Sequence, residues 1–302
     1  MTRRIAVVGA PSSLGIRPYD DGEQRHLDRA PSVLRGRDLI GRLGAIDFGD
    51  VAPPPYRDYM RPVEGARNEE PVLRYSRALA DRVVAATCGN HFGVVIGGDC
   101  SIVLGCLLAT RKRLGGPVGL VYVDAHADFS TARESATGSI SGMTLALATG
   151  RGRSPLVALG GKSPLVNGKR VALVGRRSVP VPCGQDALET SSILDLPSTR
   201  FSVGASSDLS ALALDRVASP DVRGFWIHLD VDVLNPSVMP AVDSPEPGGP
   251  TVDELVNLLA PLVGHPLAVG LDLSIYDPAL DADRSGARRL VGLLEQLVSS
   301  VK

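Results

Sequence analysis

Cysteine is scarce in this 302-residue chain: Cys88, Cys100, Cys106 and Cys183 are the only four. Their spacings fit neither a zinc ribbon nor a disulfide framework, so they read as reduced thiols. An excess of charge of one sign is also lacking. The formal net charge is −1 and no basic run stands out, which leaves nucleic acid and anionic membrane surfaces without an electrostatic footprint. Long apolar runs are missing too. The segment after Arg3 and Arg4 is too short for a signal-peptide core, and nothing approaches the span of a bilayer. A soluble, cytoplasmic protein with a small-molecule substrate is expected. At 44% hydrophobic and 22% charged residues it can bury a sizeable core, and with no break in composition residues 1–302 read as a single domain.

What is present is alternation. Apolar runs at Ile5 to Val8, before Gly97, and at Val118 to Asp124, Val171 to Val174, Phe201 to Val203, Gly224 to Asp230 and Leu267 to Leu273 read as strands. Helical patterns lie between them: Ala30 to Leu43, Glu70 to Cys88, Ile102 to Leu114, Gly142 to Ala148, Leu209 to Val217, a helix opened by the capping box Thr251 to Glu254, and Arg284 to Val301. Residues 51 to 65 form a proline-rich loop. Nearly all-apolar strands, each followed by a helix, predict an α/β three-layer αβα sandwich around an about eight-stranded, mostly parallel sheet. A TIM barrel is the alternative, and both folds bind ligands beyond the carboxyl ends of the strands.

Three clusters fall at such ends. Asp124-Ala125-His126-Ala127-Asp128 places potential metal ligands at every second position, and in an extended backbone these share one face. Two carboxylates and an imidazole facing one point call for a divalent cation. His228-Leu229-Asp230-Val231-Asp232 repeats the alternation, and Gly97-Gly98-Asp99-Cys100-Ser101 presents a thiol where a strand gives way to a helix. His228, two residues before Asp230 on the same face, is a candidate to buffer protons or orient a ligand. Tyr276, Asp277 and Asp243 are candidate lining residues; His26, His91 and His265 are assigned to the surface and Trp226 to the core.

These motifs resemble those of the arginase, agmatinase and formiminoglutamase family of ureohydrolases. Asp124-Ala-His126-Ala-Asp128 is similar to its D-A-H-x-D motif, and Gly97-Gly98-Asp99-Cys100-Ser101 to its G-G-D-H-S with cysteine for histidine. Asp230-Val-Asp232-Val-Leu-Asn235-Pro236, Met239-Pro240-Ala241 and Ser244-Pro245-Glu246-Pro247-Gly248-Gly249 resemble its third block, and the likeness runs nearly end to end. The resemblance implies two divalent ions, with manganese the expected metal. One would be held by Cys100, Asp124, Asp128 and Asp230, the other by Asp124, His126, Asp230 and Asp232. It implies hydrolysis of a guanidine C–N bond by a water that the ions acidify and Asp128 aims. Family members often associate, so a homo-oligomer is an expectation.

The departures bear on substrate. Cys100 adds a soft, negative ligand, which shifts metal preference toward iron, cobalt or zinc while the oxygen-rich remainder still suits manganese. Ser141 stands where the family carries a proton-shuttling histidine, and a serine cannot titrate near neutrality. Ser130 replaces an asparagine, and Val174 to Pro180 lacks an aspartate that helps hold arginine. Ile275 occupies the place of a glutamate that pairs with the guanidinium. Ser130, Ser141 and Ile275 are therefore the substrate-facing positions, and a neutral, N-hydroxylated or acylated guanidine is expected rather than free L-arginine. Two other readings are a single-ion amide deacetylase of the histone-deacetylase kind and a degenerate relative that keeps metal for binding or assembly.

Overall fold

Strands built from small and β-branched apolar residues with both faces buried need cover from both sides, and here the helices supply it. The computed structural model describes residues 3–57, 61, 65–161, 164–177, 185–201 and 206–301. Its strands are β1 (Arg4–Ala10), β2 (Ile46–Asp50), β3 (His91–Gly97), β4 (Val118–Val123), β5 (Val171–Val174), β6 (Leu194–Leu196), β7 (Gly224–Asp230) and β8 (Ala268–Ser274). They form one sheet in the order β2-β1-β3-β8-β7-β4-β5-β6. Every neighbouring pair is parallel. The sheet is open, with β2 and β6 at its edges, so the barrel alternative falls.

The α-helices are α1 (Ala30–Arg35), α2 (Leu39–Leu43), α3 (Glu69–Ala86), α4 (Ile102–Leu114), α5 (Thr144–Ala148), α6 (Gln185–Glu189), α7 (Ser206–Val217), α8 (Val252–Val263) and α9 (Ser285–Val298). Alternate strand residues feed two separate cores. Val7, Val94, Ile96, Val121, Ile227 and Leu271 pack toward α1, α2, α7, α8 and α9. Ala6, Val8, Val95, Leu120, Tyr122 and Trp226 pack toward α3, α4 and α5. Three layers result, as the apolar runs imply. The Thr251 capping box is present: the Glu254 N–H donates to Thr251 Oγ1 at 3.3 Å and the Thr251 N–H to Glu254 Oε2 at 2.8 Å. No helix among the described residues is long and apolar enough to cross a membrane.

Three elements differ from expectation. The helix read from Ala30 to Leu43 is broken into α1 and α2, because Gly36 closes the first and Asp38 takes a left-handed φ of 60°. β2 was not anticipated; its IDFGD run is half to fully exposed at the sheet edge and lacks an apolar signature. β6, at Leu194–Leu196 beside β5 at the other edge, was not anticipated, and Phe201, where a strand was expected to begin, lies in none. Residues 202 and 203 lie outside the described residues, as do Cys183 and positions 178 to 180.

The arrangement brings β3, β8, β7 and β4 side by side, so the chain segments leaving their carboxyl ends converge. One glycine secures the approach. A Cβ on Gly98 would lie 1.9 Å from the Ser12 carbonyl oxygen, and that oxygen accepts the Asp99 N–H at 3.0 Å. The turn after β3 is thereby pinned to the one after β1, with Cys100 carried to the centre.

Candidate metal centre

The strands stop before their motifs do. β4 ends at Val123, and Asp124 Oδ1 accepts the backbone N–H of His126 at 2.6 Å, folding the chain over in an Asx turn. β7 ends at Asp230, whose Oδ1 accepts the Asp232 N–H at 2.9 Å at the head of a 3-10 turn. The residues that the alternation singles out are brought together by these local turns rather than by an extended strand. In both turns the aspartate spends one oxygen on its own backbone and keeps the other for the site.

Two tight groups follow. Ligand atoms of Cys100, Asp124, His228 and Asp230 all lie within 4.8 Å of one another, as do those of Asp124, His126 and Asp232. Asp124 belongs to both. Cys100 Sγ donates to Asp230 Oδ2 at 3.0 Å, and His126 Nδ1 lies 2.9 Å from Asp232 Oδ2 and 3.5 Å from Asp124 Oδ1. Asp128, at a left-handed φ of 46°, belongs to neither group. Its Oδ2 accepts the Tyr122 hydroxyl at 2.6 Å and the Thr144 hydroxyl at 3.2 Å.

The electrostatics are those of a site short of positive charge. Burial raises the pKa of Asp124, Asp128 and Asp230, and repulsion from neighbouring carboxylates adds to the rise. The Cys100 thiol is pushed well up by burial and then by Asp230, Asp128 and Asp124. Burial disfavours the His126 imidazolium, but Asp232 and Asp124 outweigh it and raise its pKa well above the ordinary value. Asp232 is driven upward by burial and held below its ordinary value by His126. Two buried acceptors in the cluster, Asp124 Oδ2 and His228 Nε2, have no hydrogen-bond partner among the described residues. Orphaned buried polar atoms are rare and need a cause, and a sulfur, imidazole and carboxylate donor set fits a divalent cation.

The groups sit at the floor of a cavity of about 340 Å³, within the range of small-molecule sites. Cys100, His126, Asp128, Asp230 and Asp232 reach it, and Ser130, Ser141 and Ile275 line it. The Ser141 hydroxyl donates to Asp99 Oδ1 at 3.3 Å. Ile275 presents its apolar side chain from a backbone φ of 68°, rare for a β-branched residue, with its N–H held by the Gly98 carbonyl at 2.8 Å. Of the other candidates, Asp243 lines the cavity, bonded to Arg25. Tyr276 does not; its hydroxyl donates to Asp281 at 2.6 Å. Asp277 is buried too, accepting the His26 N–H at 3.1 Å.

Several contributors carried no signal in the sequence. Arg17, Arg25 and Arg176 stand on the cavity wall, and their acidic partners are Asp20, Asp243 and Asp195. Tyr122 and Thr144 looked like strand and helix filler. Buried Arg177 donates to the carbonyls of Asp232, Val233, Leu234 and Gly248 at 2.7–3.2 Å, stapling the loop that carries Asp232. Arg25 and Arg177 act across long stretches of chain.

Residues 4–299 match the model of the Arginase family. The arginase of Bacillus subtilis (strain 168) is 29% identical over 309 residues, covering 99% of this chain and 98% of the relative. The arginase of Staphylococcus aureus (strain COL) is 29% identical over 308 residues, covering 97% and 96%. The native structure of the arginase from Bacillus caldovelox at pH 5.6 superposes with a TM-score of 0.86 at 27% identity, covering 99% of this chain and 98% of that one. Members of the family are hydrolases that act on C–N bonds of amidines. With its eight-stranded parallel sheet, its ligand cluster at the strand ends and a match over nearly its whole length, the chain belongs to the Arginase family.

Proposed function

We propose that the protein is a binuclear-metal amidinohydrolase whose substrate is a guanidine less basic than free L-arginine, such as an N-hydroxylated or acylated one. The observation that carries this reading is the pairing of two ligand groups at the cavity floor with an apolar Ile275 on the wall. Cys100, Asp124, His126, Asp230 and Asp232 are the residues proposed to hold the ions, with manganese the expected metal at the oxygen-rich group. When bound, a pair of divalent ions polarises the substrate and acidifies water, supplying a nucleophile near neutral pH.

The chain does the rest. Asp128 is oriented by Tyr122 and Thr144, faces the cavity, and takes a hydrogen bond from the attacking water. Its pKa, raised by burial, suits it to receive a proton and return it to the leaving amine. Ser141, tied to Asp99, holds a wall position and moves no proton. Ser130 offers a polar contact on the same wall. A guanidinium resting against Ile275 would have lost its water there without gaining a carboxylate, a cost that a neutral group avoids.

The test is release of urea or hydroxyurea from a panel of guanidines, hydroxyguanidines and amides by manganese-loaded protein. Turnover is expected on the less basic guanidines and little on L-arginine. In the Ile275→Glu variant, L-arginine turnover should rise by about 10- to 100-fold in kcat/KM, the worth of one charge-assisted hydrogen bond. L-Arginine as the best substrate of the unaltered protein would refute the substrate assignment. Cleavage confined to amides would favour a deacetylase.

A further inference from the structure

The family reading leaves a buried imidazole unused. His228 has no exposed surface, and its Nδ1 lies 2.6 Å from Asp272 Oδ2. The other oxygen of Asp272 accepts the Trp226 indole N–H at 2.6 Å, and both of those residues are fully buried as well. The Tyr122 ring packs against the imidazole with centroids 4.3 Å apart. Asp272 Oδ2 is an acceptor, so it selects the tautomer with a proton on Nδ1 and a lone pair on Nε2. That Nε2 is buried and has no hydrogen-bond partner among the described residues. The imidazole is one of the four members of the group with Cys100, Asp124 and Asp230.

We infer that His228 is a metal ligand through Nε2, completing with Cys100, Asp124 and Asp230 the coordination of one ion, and that Asp272 and Trp226 are positioning residues which hold its ring. The inference rests on reading the cluster as a metal centre. Two donor atoms on one ion, each at about 2.0–2.3 Å, are separated by at most about 4.6 Å. The four donor atoms all lie within 4.8 Å of one another, a bound only a few tenths of an ångström above that limit. The carboxylate, histidine and metal sequence is how proteins commonly fix a ligating imidazole. Asp128, the ligand that resemblance would place here, lies outside the group, with one oxygen taken by two hydroxyls. Its role is then hydrogen bonding to water and substrate. A sulfur, a nitrogen and two oxygens also make this the softer of the two groups, suited to cobalt, iron or zinc.

Cobalt(II) is the probe, because a bound thiolate gives it a charge-transfer absorption that reports the ion beside Cys100. In crystals of the cobalt-loaded full chain, His228 Nε2 is expected at about 2.1 Å from that ion, a ligand distance. In solution, His228→Asn keeps a partner for Asp272 but withdraws the metal-facing nitrogen. It should weaken cobalt binding at the thiolate site by more than about 100-fold, beyond the ~10- to 100-fold of a residue that only orients a ligand. Asp128→Asn should weaken it by less than tenfold. The crystal measurement needs no variant to fold. Cobalt bound to Cys100 with Nε2 more than about 3 Å away, or with Asp128 in its place, overturns the inference and leaves the family reading standing. Absence of bound cobalt and of the thiolate band overturns both.

Discussion

Replacing Asp124 by asparagine is expected to remove metal from both groups at once and to lower turnover by about a thousandfold or more. Asp124 is the residue the two groups share, and its Oδ2 is buried without a hydrogen-bond partner among the described residues. Lewis-acid and nucleophile activation by bound metal are worth several kcal/mol. At about 1.4 kcal/mol per tenfold, that loss amounts to three decades or more in rate. Asparagine preserves the Oδ1 contact to the His126 N–H, so the turn after β4 should survive and circular dichroism should be unchanged. Steady-state kinetics with elemental analysis of the purified variant checks this. A variant with two ions and near-normal turnover would show that the shared position is not a ligand.

The second large effect is on stability. In the metal-free folded chain Asp124, Asp128 and Asp230 hold protons to higher pH than they would when unfolded, because burial and mutual repulsion penalise their charge. Where the folded state binds more protons, stability falls as pH rises. The loss begins above 3.8, the ordinary carboxyl value, and grows until each folded pKa is passed. His126 acts in the same direction. Its stabilisation, due to Asp232 and Asp124, is complete below 6.5 and is lost as pH climbs through its raised folded value. Asp232, held low by His126, works oppositely, and its contribution disappears only in acid.

The Tm of metal-free protein should therefore decline from about pH 5 to about pH 9. Cations displace those protons, so metal binding strengthens with pH and the gap between loaded and metal-free protein should widen. At a thousandfold excess over Kd each ion adds about 4 kcal/mol. For a chain of this size that is a rise in Tm on the order of 10 °C per ion. Calorimetry across that pH range, with and without manganese, gives the answer. A metal-free Tm that rises with pH would contradict the charge balance assigned to the site.

Much of this architecture is legible in the sequence because the physics is local. Val94 to Gly97, Val118 to Val123 and Gly224 to Ile227 are almost entirely apolar, and a parallel sheet covered on both faces buries such runs. The candidate ligands are legible because Asx turns and strand ends gather them from short stretches of chain. Most of what escaped has no local apolar signature. β2 is an exposed edge strand, and α1 and α2 part at an aspartate in the left-handed region. Tyr122 and Thr144 matter only because both donate to Asp128. Trp226 was correctly placed in the core, but its hydrogen bond to Asp272, 46 positions away, has no mark in the sequence. Arg177 likewise binds carbonyls 55 to 71 positions distant. The lesson of Ile275 is different: its type was conspicuous from the motif, while its left-handed backbone emerges only from the contact with Gly98.

The groups gathered around Asp124 are proposed to hold a pair of divalent cations. Equilibrium dialysis of chelator-treated full-length protein against manganese, followed by elemental analysis, measures this directly. The account predicts close to two ions per chain at saturation, with protons released as they bind. Fewer than one ion per chain at millimolar manganese, from protein that is folded, would contradict it.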